Sequence, residues 1–294
     1  MSTATPLIEA PRSLWSDAGY ALRRNRAAMS AAILLGLLAL LVVFGPLLSP
    51  YAYDKPDWEH IAMPPTLADG HLFGTDALGR DLLSRTLQGG RMSLLVGLVS
   101  TIVSLVIGIA WGATAGYIGG RTDRIMMRIV DILYALPFMF LVILLMVLFG
   151  RQIVLIFVAI GAINWLDMAR IVRGQTLGLK QREFVEAARV SGVGTARIIL
   201  RHIVPNLLGV VVIYVTLTIP QVILVESFLS FLGLGVQEPM TSWGALVSEG
   251  ALEMENAPWM LLFPSLFLAI TLFCFNFLGD GLRDALDPRD RSRT

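Results

Sequence analysis

Six long apolar runs divide this sequence, at Ala31–Leu48, Met92–Ile118, Ile132–Phe149, Ile153–Leu166, Leu207–Val225 and Ala257–Leu278. A helix needs about 20 apolar residues to cross ~30 Å of hydrocarbon, where no water is present to satisfy an unpaired backbone. Ile153–Leu166 is the shortest run. The pattern predicts an all-α, polytopic membrane protein with six transmembrane helices. Composition agrees: 55% of the 294 residues are apolar and 15% charged, with mean hydropathy +0.71, far from a soluble domain. The formal net charge of +1 gives no ground for a nucleic-acid partner.

Basic residues set the orientation. If the first run passes outward, only Lys55, Arg80, Arg85, Arg91 and Arg151 of the 23 basic residues lie outside. The cytoplasmic side then holds Arg12, Arg23, Arg24, Arg26, Arg121, Arg124, Arg128, Arg170, Arg173, Lys180, Arg182, Arg189, Arg197, Arg201, Arg283, Arg289, Arg291 and Arg293. The positive-inside rule places both termini in the cytoplasm. The first run starts too late for a signal peptide and ends in Gly45-Pro46 without a cleavage site, so it is expected to stay as the first membrane helix. Ahead of it, Leu14, Trp15, Ala18 and Leu22 recur at helical spacing before Arg23, Arg24 and Arg26. They form either an amphipathic helix on the anionic inner leaflet or a plain basic flank. The chain thus divides into a cytoplasmic segment 1–30, a first span and external segment 31–91, a five-helix core 92–280 containing a cytoplasmic loop 169–206, and a tail 281–294.

Outside, Asp81 is placed to cap a short interfacial helix with Leu82, Leu83, Thr86 and Leu87 on one face and Ser84, Arg85 and Gln88 on the other. In the second span, Gly108, Gly112, Gly116 and Gly120 are four apart, the spacing that lets a neighbouring helix approach closely in lipid. Pro137 is expected to kink the third span, and Asp131 to pair with Arg128. Thr216, Gln221 and Glu226 in the fifth run, near Pro220, and Asn276 in the last are candidates for lining a polar pathway. Asn164 is a weaker candidate, and Glu226 snorkelling to the outer interface is the competing reading.

No phosphate-binding loop, GxSxG or HExxH motif occurs. His60, His71 and His202 are scattered, the one cysteine is Cys274, and no residue that could close a calcium loop follows Asp76 and Asp81. Catalytic residues and a metal site are therefore not expected.

The largest polar segment after the first third is Arg182–Asn206. Phe184, Ala187, Ala188 and Ser191 share a helical face edged by Glu183, Glu186 and Arg189. Gly192 and Gly194 break that helix, Thr195 suits an N-cap, and Ile198, Ile199 and Ile203 give a second helix an apolar stripe that Pro205 ends.

This segment resembles the signature of the inner-membrane permeases of binding-protein-dependent ABC importers. Glu186-Ala187-Ala188 is followed by Gly192 and by His202-Ile203-Val204-Pro205, where His202 and Val204 stand in place of the family's Ile and Leu. GTDALGRDLLSR, GGRTDRIMMRIVDILYALP and ESFLSFLGLGVQEP are similar to the dipeptide/oligopeptide/nickel branch, in particular its second permease subunit. The resemblance implies a type I importer permease fold in a bacterial inner membrane. Its partners would be a homologous second permease, two cytoplasmic ATPases that bind ATP and Mg, and a periplasmic or lipid-anchored solute-binding protein, with no cofactor on this chain. Glu183, Phe184, Glu186, Ala187, Ala188, Arg189, Gly192, Ile203 and Pro205 would serve ATPase coupling. Dipeptides or short oligopeptides are the implied cargo, with nickel chelates, glutathione or antimicrobial peptides as alternatives. An ion-coupled secondary transporter would show an inverted repeat and a paired ionisable relay, and neither is evident. A structural scaffold would leave the polar loop without a purpose.

Overall fold

The computed structural model describes residues 14–150 and 153–286. Arg12, Arg151, Arg289, Arg291 and Arg293, which contribute to the orientation argument, lie outside the described residues, as do 1–13 of the N-terminal segment and 287–294 of the tail. The described chain is helical, and its one extended pairing is an isolated bridge between Thr75 and Asp81.

Helix α1 (Leu14–Arg24) leads through Asn25, whose side chain caps α2 (Arg26–Leu48) by accepting from the Ala28 amide at 3.2 Å. Leu22 of α1 and Ala28 of α2 both approach Gly281, so this corner packs on the last helix of the bundle. Segment 49–81 then leads into α3 (Leu82–Ile118). Asp81 caps α3 as expected, accepting from the Ser84 amide at 2.8 Å. There is no separate interfacial helix: α3 runs unbroken for 37 residues. Ser84 and Arg85, placed on the polar face by spacing, are buried in it.

The third expected span is broken rather than kinked. Helix α4 (Gly120–Tyr134) and α5 (Phe138–Phe149) meet at 84°. Pro137 has no N–H to give to Leu133, and it disfavours helical geometry at Leu136. Asp131 does not pair with Arg128. It bonds Arg170 across the interface with α6 (Ile153–Leu179) at 2.9 Å, and the same guanidinium lies 4.4 Å from the Tyr134 ring.

The glycines of α3 set the principal packing. A Cβ on Gly108 would meet Met168, on Gly112 the Ala169 carbonyl and on Gly116 Thr176, all on α6. With no hydrophobic drive between helices in lipid, this close approach supplies dispersion contact instead. Gly120, the fourth of the series, has open space around it and a φ of +61°, so it makes a turn rather than a contact.

After α6 come α7 (Glu183–Val190), the short α8 (Thr195–Ile198), a π turn (Ile199–Ile203), α9 (Val204–Phe231), the helix α10 (Trp243–Leu252) and α11 (Trp259–Leu286). Among the described residues, four helical stretches are long and apolar enough to cross a membrane, and five if α4 and α5 count as one. The fourth expected span, Ile153–Leu166, is the first part of α6. Pro205 does not end a helix. The π turn before it, in which the Val204 amide bonds the Ile199 carbonyl, shifts the ladder so that a residue without an N–H fits. Thr195–Phe231 is consequently one stretch of 37 residues. Gly194, not Thr195, is the N-cap of α8, and no side chain caps it.

Helix α10 lies in the acidic loop 232–256. Ser242 caps it by accepting from the Ala245 amide at 3.2 Å. Trp243 is wholly buried, its indole N–H donating to the Thr86 carbonyl at 2.9 Å and its backbone N–H to Ser93 Oγ at 3.1 Å.

Candidate functional site

The loop between α6 and α9 has two unlike faces. Val185 and Ala188 on α7, with Ile198 and Ile203, join Ala113 and Tyr117 of α3 and Met168 and Val172 of α6 in one buried cluster. Outward, Phe184 is 41% exposed, Val190 88% and Leu200 70%, with Ala187 also exposed. The face expected to dock is thereby divided. Phe184 and Ala187 remain available, whereas Ala188 and Ile203 are spent inside the bundle, because the apolar stripe of a helix resting on a core points to that core. Glu183 and Pro205 are exposed. Glu186 and Arg189 line a cavity of about 490 Å³ between α7 and the ends of α3 and α6, shared with Tyr117, Lys180 and Thr195.

Gly192 fixes how this loop turns. Its φ is +76°, the left-handed region that a Cβ penalises. Its amide bonds the Arg189 carbonyl at 3.1 Å, and the Val193 amide bonds the Ala188 carbonyl at 3.1 Å. These two bonds close α7 as a Schellman motif and set the direction in which α8 departs.

The candidates of α9 separate by face. Gln221 and Thr218 line a cleft of about 410 Å³ together with Tyr214 of α9 and Asn164, Asp167 and Arg170 of α6. Thr216 lies against Gly279 of α11 and bonds the carbonyls of its own helix at Val212 and Ile213. Asn276 is exposed on α11 and is not among the residues of that cleft. Glu226 does not snorkel or face an opening. It is 0% exposed, accepting from Ser230 Oγ at 2.7 Å and Ser93 Oγ at 3.3 Å. Ser242, the cap of α10, reaches Ser230 Oγ at 3.2 Å, so the carboxyl ties α9 to α3 and α10. Asp167 went unnoticed in the sequence; the signal was the Asn164, Asp167, Arg170 series, three apart on one helix face.

Segment 49–81 is held by charge. Asp76 accepts from Arg80 Nε at 2.7 Å and from Arg85, and Arg80 reaches Glu238 at 2.8 Å. Asp81 bonds His71 at 2.9 Å, and Tyr51 stacks on that imidazole. Nearer the surface, His60 Nδ1 and Asp57 Oδ2 are 2.9 Å apart. That bond raises the His60 pKa and, with the Glu59 amide, lowers that of Asp57. Asp76 and Asp81 are therefore parts of a structural network.

Residues 86–292 match the family model of the binding-protein-dependent transport system inner membrane component. The chain belongs to that family. Residues 13–65 also match the N-terminal TM domain of oligopeptide transport permease C. The oligopeptide transport system permease protein OppC of Haemophilus influenzae is 58% identical over 280 residues, covering 95% of this chain and 90% of that one. Its Escherichia coli counterpart is 60% identical over 280 residues, covering 95% and 93%. The dipeptide transport system permease protein DppC of Bacillus subtilis is 46% identical over 280 residues, covering 95% and 87%. A chain from inward-facing conformations of the MetNI methionine ABC transporter superposes with TM-score 0.57 at 22% identity, covering 70% of this chain and 96% of that one, and shares the fold. Permeases of this family are transport subunits of the inner membrane and not enzymes, and they work with a separate binding protein.

Proposed function

We propose that this chain is one permease of an ATP-driven importer that moves dipeptides or short oligopeptides delivered by an external solute-binding protein. It pairs with a homologous second permease and two cytoplasmic ATPases, its termini lie in the cytoplasm, and residues 169–206 couple it to an ATPase. The observation that carries this reading is the two-sided loop. Its inner residues belong to the bundle core, while Phe184, Val190 and Leu200 present apolar surface with nothing over it among the described residues. Exposed apolar groups on a cytoplasmic projection mark a protein interface. The sequence has no phosphate loop, so energy must enter through a partner. The names of the relatives support a peptide cargo over a nickel chelate or glutathione.

In this mechanism ATP-driven closure of the ATPases displaces α7, and the rigid packing of Val185 and Ala188 on α3 and α6 carries the displacement into the bundle. Reversing a two-state population from 1:99 to 99:1 takes about 5.5 kcal/mol of differential binding. Gln221 and Thr218 line the path on the α9 side. The test is Glu186→Lys in the complete importer. Uptake of a labelled tripeptide and co-purification of the ATPases should both be lost while the permease stays in the membrane; normal values for both would refute the coupling assignment.

A further inference from the structure

The cleft between α6 and α9 has an uneven charge balance. Arg170 is its only basic residue, and its guanidinium is met from outside the cleft by Asp131 at 2.9 Å and by the Tyr134 ring at 4.4 Å. Asp167, one turn earlier on α6, is exposed and has no ion-pair partner among the described residues. One carboxylate is therefore left unmatched. Around it stand neutral hydrogen-bonding groups. The Gln221 carboxamide makes no hydrogen bond within the described chain, and Asn164 gives its Nδ2 to the Ile160 carbonyl at 2.9 Å, which leaves its Oδ1 as an acceptor. Tyr214 and Thr218 add hydroxyls. At about 410 Å³ the space falls within the usual range of small-ligand sites.

We infer that this cleft is a cargo subsite in which Asp167 receives a primary ammonium group, that of a peptide's free amino terminus. An ammonium has three donors and no acceptor, matching a carboxylate beside an open amide oxygen. The carboxamides of Gln221 and Asn164 pair with peptide N–H and C=O groups whatever the side chains are, so the subsite reads the end of the cargo and not its sequence. An anionic cargo would meet the unmatched carboxylate and be repelled. The inference rests on the peptide-import reading above and adds the chemical group that is recognised.

The test uses the complete importer with its own binding protein in proteoliposomes and two probes, trialanine and N-acetyl-trialanine. The binding protein is the same throughout, so its preference cancels when each variant is compared with wild type on the same probe. Asp167→Asn should slow trialanine uptake on the order of tenfold and leave the acetylated probe unchanged, and Asp167→Glu should restore the trialanine rate. An equal loss for both probes, or no loss for either, overturns the subsite. A second arm needs no binding protein: a photoreactive tripeptide with a free amino end should label the detergent-solubilised complex with an apparent affinity that falls on the order of tenfold in Asp167→Asn, and unchanged labelling overturns the inference as well. If wild type takes up neither peptide, the peptide-import reading itself fails, a result distinct from the others.

Discussion

Arg85 grips Glu249 with both ends of its guanidinium, Nη1 at 2.7 Å and Nη2 at 3.0 Å, joining the first turn of α3 to α10. Asp76 meets the same guanidinium from the segment before α3, so one buried cation holds three parts of this end of the bundle together.

Removing that cation leaves Asp76 buried with Arg80 as its remaining ion-pair partner. Breaking a buried pair by deleting one partner costs roughly 3–5 kcal/mol, so Arg85→Ala should make segment 49–81 rapidly cleavable by a protease added outside. Glu249 is about a third exposed, and Glu249→Gln keeps an acceptor, so its effect should be much smaller. Limited proteolysis of the two variants checks the order.

Gly192 has no atom within 4 Å of where a Cβ would stand, yet its φ is +76°. Gly192→Ala should therefore act through backbone strain alone, about 1–2 kcal/mol, tilting or fraying the end of α7. ATPase stimulation by loaded binding protein should fall while membrane levels stay normal. Gly192→Asn, better tolerated in that region, should retain more coupling than the alanine variant.

Glycines in contact and glycines in open space should differ sharply. A Cβ at Gly112 runs into the Ala169 carbonyl and the Arg173 amide, and at Gly108 into the Cβ and Cγ of Met168, which lie too near the backbone to swing away, whereas at Gly36 of α2 no atom lies within 4 Å. Gly108→Ala and Gly112→Ala should each push α3 and α6 apart and lower the thermal stability of the purified complex by several degrees, whereas Gly36→Ala should not. Equal shifts in all three would count against the packing account.

The His60–Asp57 bond gives the outer segment a pH dependence. The folded pKa of His60 is raised, so its contribution is complete below the unfolded value of about 6.5 and is lost as pH rises through the folded value. Asp57 is lowered, so its share is present above about 3.9 and lost as pH falls through its folded value. Hydrogen-exchange protection in residues 57–62, corrected for the intrinsic exchange rate at each pH, should be higher at pH 6 than at pH 8.5, and His60→Gln should remove the difference.

Features that depend on local pattern were legible in the sequence: the apolar runs, the Asp81 cap, the glycines of α3 facing another helix, and Gly192 ending a helix. Features that depend on contacts distant in sequence were not. Nothing local announces that Arg85 will meet Glu249, so Arg85 reads as one residue of an exposed polar face. The loop 232–256 hides α10 because its helix signal is short and its anchor, Trp243, is explained only by α3. Ala188 and Phe184 share a face by spacing, and only the position of the core separates them. Pro205 looks like a terminator until the π turn before it is known. Glu226 reads as a pathway group because the serines that enclose it come from two helices and a cap.

The uninterrupted helix Thr195–Phe231 spans 37 residues, roughly 55 Å at 1.5 Å per residue. Its inner end begins three residues after Gly192, and its outer end carries Glu226 and Ser230, knotted to Ser93 and to the cap of α10. Rotating a rod of that length by ~5° about its midpoint moves its ends by roughly 2 Å in opposite senses. On the proposed coupling, a stroke applied at the Gly192 end would thus emerge at the Glu226 end with its sign reversed, and α10 would travel like the far arm of a seesaw. Opening on one side and sealing on the other would then need no separate timing device, because a single stiff element would perform both.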